Sequence, residues 1–132
     1  MSQTKIYLLT VLIFAIYSAY AVASPSEAPD DLTREEQTIL TVVGYVGIAD
    51  FCWAYGVDYR ETAHQVKQSI IEDADEQGSR MQTLVEFGFE SAAIGNIYSS
   101  SIGDMVTLLD SSNIQQACDN MYVQFQRITR IK

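Results

Sequence analysis

The chain has 132 residues, 48% of them hydrophobic and 19% charged, with 8 basic against 17 acidic side chains. That length holds one domain, or one domain behind a leader, and excludes a two-domain cofactor enzyme or a long repeat array. A formal charge of −9 argues against DNA or RNA, which require a basic face to replace phosphate counterions. Two cysteines are too few for a disulfide-dense scaffold or a four-ligand zinc site.

The first residues read as a delivery signal. Lys5 precedes an apolar run from Ile6 to Ile16, and Ala21-Val22-Ala23-Ser24 offers the small residues a signal peptidase needs. A membrane span needs about 20 apolar residues, and Tyr17, Ser18 and Tyr20 interrupt this stretch. The expected organisation is a signal peptide over 1–23, a flexible lead-in over 24–32 and a helical domain over 33–132. Cleavage after Ala23 removes Lys5 and leaves 7 basic against 17 acidic groups, a net charge of −10. The expected location is periplasmic or secreted, without stable membrane anchoring. In an oxidising compartment two cysteines of a small domain usually pair. A Cys52–Cys118 bridge closes a long loop and stabilises by about 4 kcal/mol in the loop-entropy account. No Asn-x-Ser/Thr sequon occurs, which agrees with a bacterial periplasm.

Both prolines fall in 24–32, outside the expected core. Thr33 and Glu36 then form a capping box, starting a helix that runs to about Tyr55 with Gly56 as its stop. Ile39, Leu40, Val42, Val43, Val46, Ile48, Phe51, Cys52 and Trp53 cover most of its circumference, so it belongs in the middle of a bundle. Gly44 and Gly47 weaken it but let another helix come close. Asp58 with Glu61 repeats the cap signal, and Tyr59, Ala63, Val66, Ile70 and Ala74 keep one-sided helical spacing. Ser79 with Gln82 opens a third helix carrying Met81, Leu84, Val85 and Phe87. Residues 95–103 read as a loop and 104–110 as a short helix. Ser112 with Gln115 caps the last helix, whose stripe is Ile114, Ala117, Cys118, Met121, Tyr122, Phe125 and Ile128. No segment alternates with period two and no Asn-Gly or Asp-Gly turn occurs. The fold class is all-α: a small bundle of four to five helices around a central apolar helix, with one disulfide.

The acidic run Asp73-Ala74-Asp75-Glu76-Gln77-Gly78 begins like a calcium loop, but its twelfth position is Leu84 rather than a bidentate carboxylate. No metal or cofactor is expected. Acids at a helix C-terminus oppose its dipole, so Glu72, Asp73, Asp75 and Glu76 read as a solvated corner or a patch for docking a partner. His64, the one histidine, reads as a surface residue near Arg60, Glu61, Lys67 and Gln68. Glu90-Ser91 matches the Glu-Ser step of lytic transglycosylases, whose raised-pKa acid does the chemistry, yet Ala92-Ala93-Ile94-Gly95 follows instead of that family's continuation. No P-loop, H-E-x-x-H, C-x-x-C or G-x-S-x-G is present. Tyr59 and Tyr122 are expected in the core with hydroxyls at its rim. Tyr98, with Ile97 in a Ser- and Gly-rich stretch, is expected to be an exposed contact residue.

In layout the chain resembles the periplasmic immunity proteins that neutralise type VI secretion amidase effectors. The matching stretches are Asp50-Phe51-Cys52 and Gln116-Ala117-Cys118-Asp119-Asn120-Met121-Tyr122. The resemblance spans about 34–126 and implies a small, mainly helical, two-cysteine inhibitor without catalytic residues. The expected partner is an exported protein with a basic surface, met by Glu72, Asp73, Asp75, Glu76, Ile97 and Tyr98. The alternatives are a periplasmic acid-stress chaperone and a small cell-wall hydrolase.

Overall fold

A computed structural model describes Pro29 and residues 31–130. The expected signal peptide and most of the lead-in lie outside the described residues. Four helices carry the fold: α1 (Arg34–Trp53), α2 (Arg60–Gln77), α3 (Ser79–Ala93) and α4 (Ile114–Arg130). A two-stranded hairpin, β1 (Asn96–Ser99) with β2 (Asp104–Thr107), and a 3-10 turn at Leu108–Asp110 stand between α3 and α4. The fold is the small all-α bundle that the periodicity indicates.

Helix α1 sits in the middle and touches α2, α3, α4 and β1. Leu40, Val43, Val46, Ile48, Ala49 and Cys52 are all at most 2% exposed, because so wide an apolar face must be covered from several sides. Trp53, at the end of the helix, is exposed instead and lies under the Arg60 guanidinium. Glycines set how closely its neighbours come. A Cβ on Gly47 would lie 2.8 Å from the Ala92 Cβ, and one on Gly88 would lie 2.6 Å from Val43 Cγ1. The α1 and α3 backbones therefore meet through Gly47 and Gly88 and run in the same direction. Gly44 makes the same allowance for β1, where Ile97 Cβ would stand 3.2 Å away. Helix α2 runs the opposite way: His64 meets Asp50 at 2.9 Å near one end, and Ala74 lies by Ile39 and Val42 near the other.

Cys52 and Cys118 form a disulfide with Cα atoms 5.5 Å apart, tying α4 to the central helix. Next to it Tyr59 stacks on Tyr122 at 4.8 Å and meets Phe125 at 4.9 Å. Its hydroxyl donates to the Tyr45 carbonyl at 2.8 Å, and burial pushes the phenol well above its usual range. At the rim of the core this hydroxyl thus makes a part-buried bond to α1.

The hairpin corrects two expectations, the loop over 95–103 and the short helix over 104–110. Ile97 pairs with Val106 and Tyr98 with Met105 across an antiparallel ladder. The connection is a four-residue turn that Gly103 closes at φ +77, donating to Ser99 O at 2.8 Å. Both Ile97 and Tyr98 are buried, one in the main core and one with Leu40 and Leu84. A strand covered on both faces does not alternate, so period two is absent.

Three cap assignments also move. Helix α2 starts after Tyr59 without a side-chain cap, and Asp58 bonds Arg60 instead. Gly78, not Ser79, is the N-cap of α3. In α4 Asn113 Oδ1 accepts from the Gln116 amide at 3.0 Å, displacing Ser112. Helix α1 ends at Trp53, two residues short of Tyr55, with Gly56 at φ +88 in the following turn. The first box forms as expected: Thr33 Oγ1 accepts from the Glu36 amide at 3.1 Å and Glu36 Oε1 from the Thr33 amide at 2.9 Å. Glu36 also receives Arg80 Nε on its other oxygen at 2.6 Å, fastening α1 to the start of α3.

Two outcomes follow from these ties. The native chain resists thiol alkylation without reductant, and Cys52→Ser with Cys118→Ser lowers the unfolding free energy by about 4 kcal/mol, read by urea titration. The Arg80 guanidinium, with the Thr33 amide, holds the Glu36 carboxyl down at about 2. Its folded value lies below its unfolded value, so the unfolded chain binds the proton more readily. The stabilisation is complete above the ordinary carboxylate range near 4.5 and fades as pH falls toward about 2. Arg80→Gln should therefore flatten the stability difference between pH 2 and pH 5; a slope equal to that of the unsubstituted chain would overturn it.

Candidate functional site

Helices α2 and α3 form an antiparallel hairpin about Gly78, packed on α1 through Ala63, Ala74, Val85 and Ala92. Helical spacing brings Lys67, Ile71 and Asp75 onto one stripe of α2, and Gln82, Glu86, Phe89, Glu90 and Ala93 onto the facing side of α3. Between them runs a groove of about 560 Å³. Its floor is Ile71, Ala74, Val85 and Phe89, and its rim carries Asp75, Glu86, Glu90 and Lys67. A second, smaller groove of about 170 Å³ lies between α1 and α2, lined mainly by Ile39, Val42, Ile70 and Met81 with Asp73 at its edge.

The larger groove joins an apolar floor to a mostly acidic rim. Lys67 Nζ stands 5.0 Å from the centre of the Phe89 ring, and the ring's other side lies against α1, within 3.0 Å of where a Gly47 Cβ would be. Asp75 Oδ1 accepts from Gln82 Nε2 at 3.1 Å across the groove. Glu86 and Glu90, one helical turn apart, are exposed. Among the described residues they have no hydrogen bond or ion pair. Like charges at that spacing destabilise a helix by a few tenths of a kcal/mol, so helix stability does not account for them.

The four acids expected to act together are divided by the helix. Asp75 lines the α2–α3 groove and Asp73 the α1–α2 groove, with buried Ala74 between them. Glu72 and Glu76 are exposed, and Glu72 accepts from Gln68 at 3.4 Å. Among the described residues no cluster of three His, Cys, Asp or Glu side chains suits a metal ion. Tyr98 and Ile97 are not contact residues: they are 5% and 8% exposed and serve as packing. His64 is exposed as expected, bonded by Nε2 to Asp50 rather than to its helix neighbours. Glu90 reaches the groove, whereas the adjacent Ser91 is fully buried with its hydroxyl unpartnered.

Lys67, Glu86 and Phe89 are not among the site residues expected from the sequence. Their signal was available as an acidic pair at i, i+4 on α3 and a Lys-Ile-Asp stripe at the same spacing on α2. No helix among the described residues is long and apolar enough to cross a membrane. No protein-family model, curated protein or solved structure matches this chain.

With Tyr98 in the core, Tyr98→Ala should act on the fold, lowering the unfolding free energy by about 3 kcal/mol in a urea titration. A change below about 0.5 kcal/mol, the range of a surface site, would return it to the surface.

Proposed function

We propose that this chain is an exported protein-binding module, an inhibitor or immunity protein, that engages a basic surface of a secreted effector along the α2–α3 groove. The observation that carries this reading is the groove itself: a cleft with an apolar floor, where Ile71 is half-buried over the buried Ala74, Val85 and Phe89, bordered by Glu86 and Glu90, which have no partner among the described residues. Desolvating such a floor supplies retained affinity, and the acidic rim accelerates encounter with a basic partner. The disulfide supports export, because such bridges persist in oxidising compartments. The excess of 17 acidic over 8 basic side chains supports a basic partner, with the exposed Glu72 and Glu76 of α2 adding to the field. The layout resemblance to amidase immunity proteins points the same way.

The test is kinetic. The full chain is exported in its own host, cross-linked and recovered, and the stoichiometric partner is used for binding at two salt concentrations. Asp75→Asn, Glu86→Gln and Glu90→Gln together should slow association about tenfold at low salt and flatten its salt dependence. Unchanged rates would place the interface elsewhere. Many loose partners in place of one would favour the acid-stress chaperone. Peptidoglycan turnover lost in Glu90→Gln would favour the hydrolase.

A further inference from the structure

We infer that the groove receives a basic amphipathic helix of the partner, and that Lys67 holds over Phe89 the place that one of that helix's arginines or lysines takes. The inference rests on the protein-binding reading and names the occupant and how it seats.

The position of Lys67 is the first observation. Three carboxylates line the same groove, yet the ammonium makes no ion pair with Asp75, Glu86 or Glu90 and lies over the Phe89 ring at 5.0 Å. An exposed ammonium on a ring face is held weakly, and a lysine stem swings aside at little cost. The ring is therefore a seat for a cation that is already occupied, but by a side chain easily displaced. An arginine suits it better, because a planar guanidinium stacks on an aromatic face and still donates sideways to carboxylates.

The second observation is the unpartnered pair, Glu86 and Glu90. Among the described residues no cation pairs with them, so they are free to meet a basic partner. Set one turn apart on α3, they match basic residues one turn apart on a facing helix. Arginines flanking an apolar stripe would reach them while the stripe covers Ile71, Ala74 and Val85.

The third is shape. The α3 side of the groove runs from Gln82 to Ala93, roughly 16 Å at 1.5 Å per residue, which is about three helical turns. Both walls are helices whose backbone groups are bonded internally, so an extended segment would find no edge to pair with and would bury unsatisfied amides. A helix brings its own hydrogen bonds. Ala74 and Ala93 leave room for the 8–10 Å interaxial approach at which helices interlock.

The experiment uses the full disulfide-bonded chain and three peptides of about 18 residues. One is a helix former with Leu at i, i+3, i+4 and i+7 between arginines; one replaces each Arg with Glu; one scrambles the first to destroy its periodicity. The arginine helix should bind, shifting amide resonances over 67–75 and 82–93, whereas the acidic and scrambled peptides should not. In the free chain the Phe89 ring should displace the Lys67 side-chain resonances, and on binding they should return to the position of a free lysine. Lys67→Ala should tighten binding about three- to fivefold, the worth of an exposed cation–ring contact. That gain should vanish in a Phe89→Leu background. Lys67 resonances that stay ring-shifted in the complex would overturn the stand-in without any substitution. A gain that persists in Phe89→Leu and disappears at high salt would also overturn it, as simple loss of a repelling charge. Equal binding of the acidic or scrambled peptide would overturn the basic helix. If these fail while the recovered partner still cross-links to the α2–α3 groove, the protein-binding reading stands and only the occupant is wrong; cross-links confined to another face remove both.

Discussion

Helix α1 carries most of the apolar surface that must be hidden from water, and the other elements are arranged to cover it. Its inner residues from Leu40 to Cys52 are almost wholly excluded from solvent, which one neighbouring helix could not achieve. Coverage from several directions requires α2, α3, α4 and the hairpin to converge on a single 20-residue rod. Two glycines then decide which neighbour comes closest. With Gly47 facing Ala92 and Gly88 facing Val43, the α1–α3 pair packs backbone to backbone. Each glycine sacrifices about 1 kcal/mol of helix propensity, and the dispersion attraction between backbones at that separation offsets the loss.

Such close packing has a consequence for the surface. Because α3 is drawn onto α1, the aromatic Phe89 is wedged against Gly47 on one side and opens to the α2–α3 groove on the other. The disulfide and the Tyr59–Tyr122 stack hold α4 at the far end of α1, and the Glu36–Arg80 pair pins the start of α3. The walls of the groove are thus parts of a frame fastened at both ends. A groove held in this way loses little conformational entropy when filled, which is the general route by which a preorganised surface gains affinity.

The helices were legible because each buries one stripe or, for α1, a much wider face, and that burden appears directly in the spacing of apolar residues. The disulfide was legible because Cys52 and Cys118 each sit on an inward-facing helical position. The hairpin was not. Its strands are four residues long, too short to show a period, and Ile97 and Tyr98 are buried on opposite sides. A Ser- and Gly-rich composition then suggested an exposed loop, when the glycine instead closes a turn and the aromatic fills a satellite core. The caps on α2, α3 and α4 moved by one residue: Tyr59 and Gly78 hold the N-cap positions without a side-chain bond, and the Asn113 side chain rather than Ser112 accepts from the first turn of α4. The acidic cluster misled for a related reason. Adjacency in sequence is dispersion on a helix, where each residue turns by about 100°, so Asp73 and Asp75 face different grooves.

Glu86 and Glu90 are like charges one turn apart whose placement helix stability does not explain. A solvated acidic face gains nothing from being placed over an apolar floor, and the fold would be served better by opposite charges at i, i+4. Here the like charges border Val85 and Phe89 in the cleft between α2 and α3. Keeping them uncompensated costs a little stability in the free chain. Electrostatic complementarity of this kind contributes mostly to encounter rate and to the choice of partner, while the apolar floor contributes to residence. An arrangement that separates the two, carboxylates on the rim and an aromatic ring beneath, lets each be altered independently of the other.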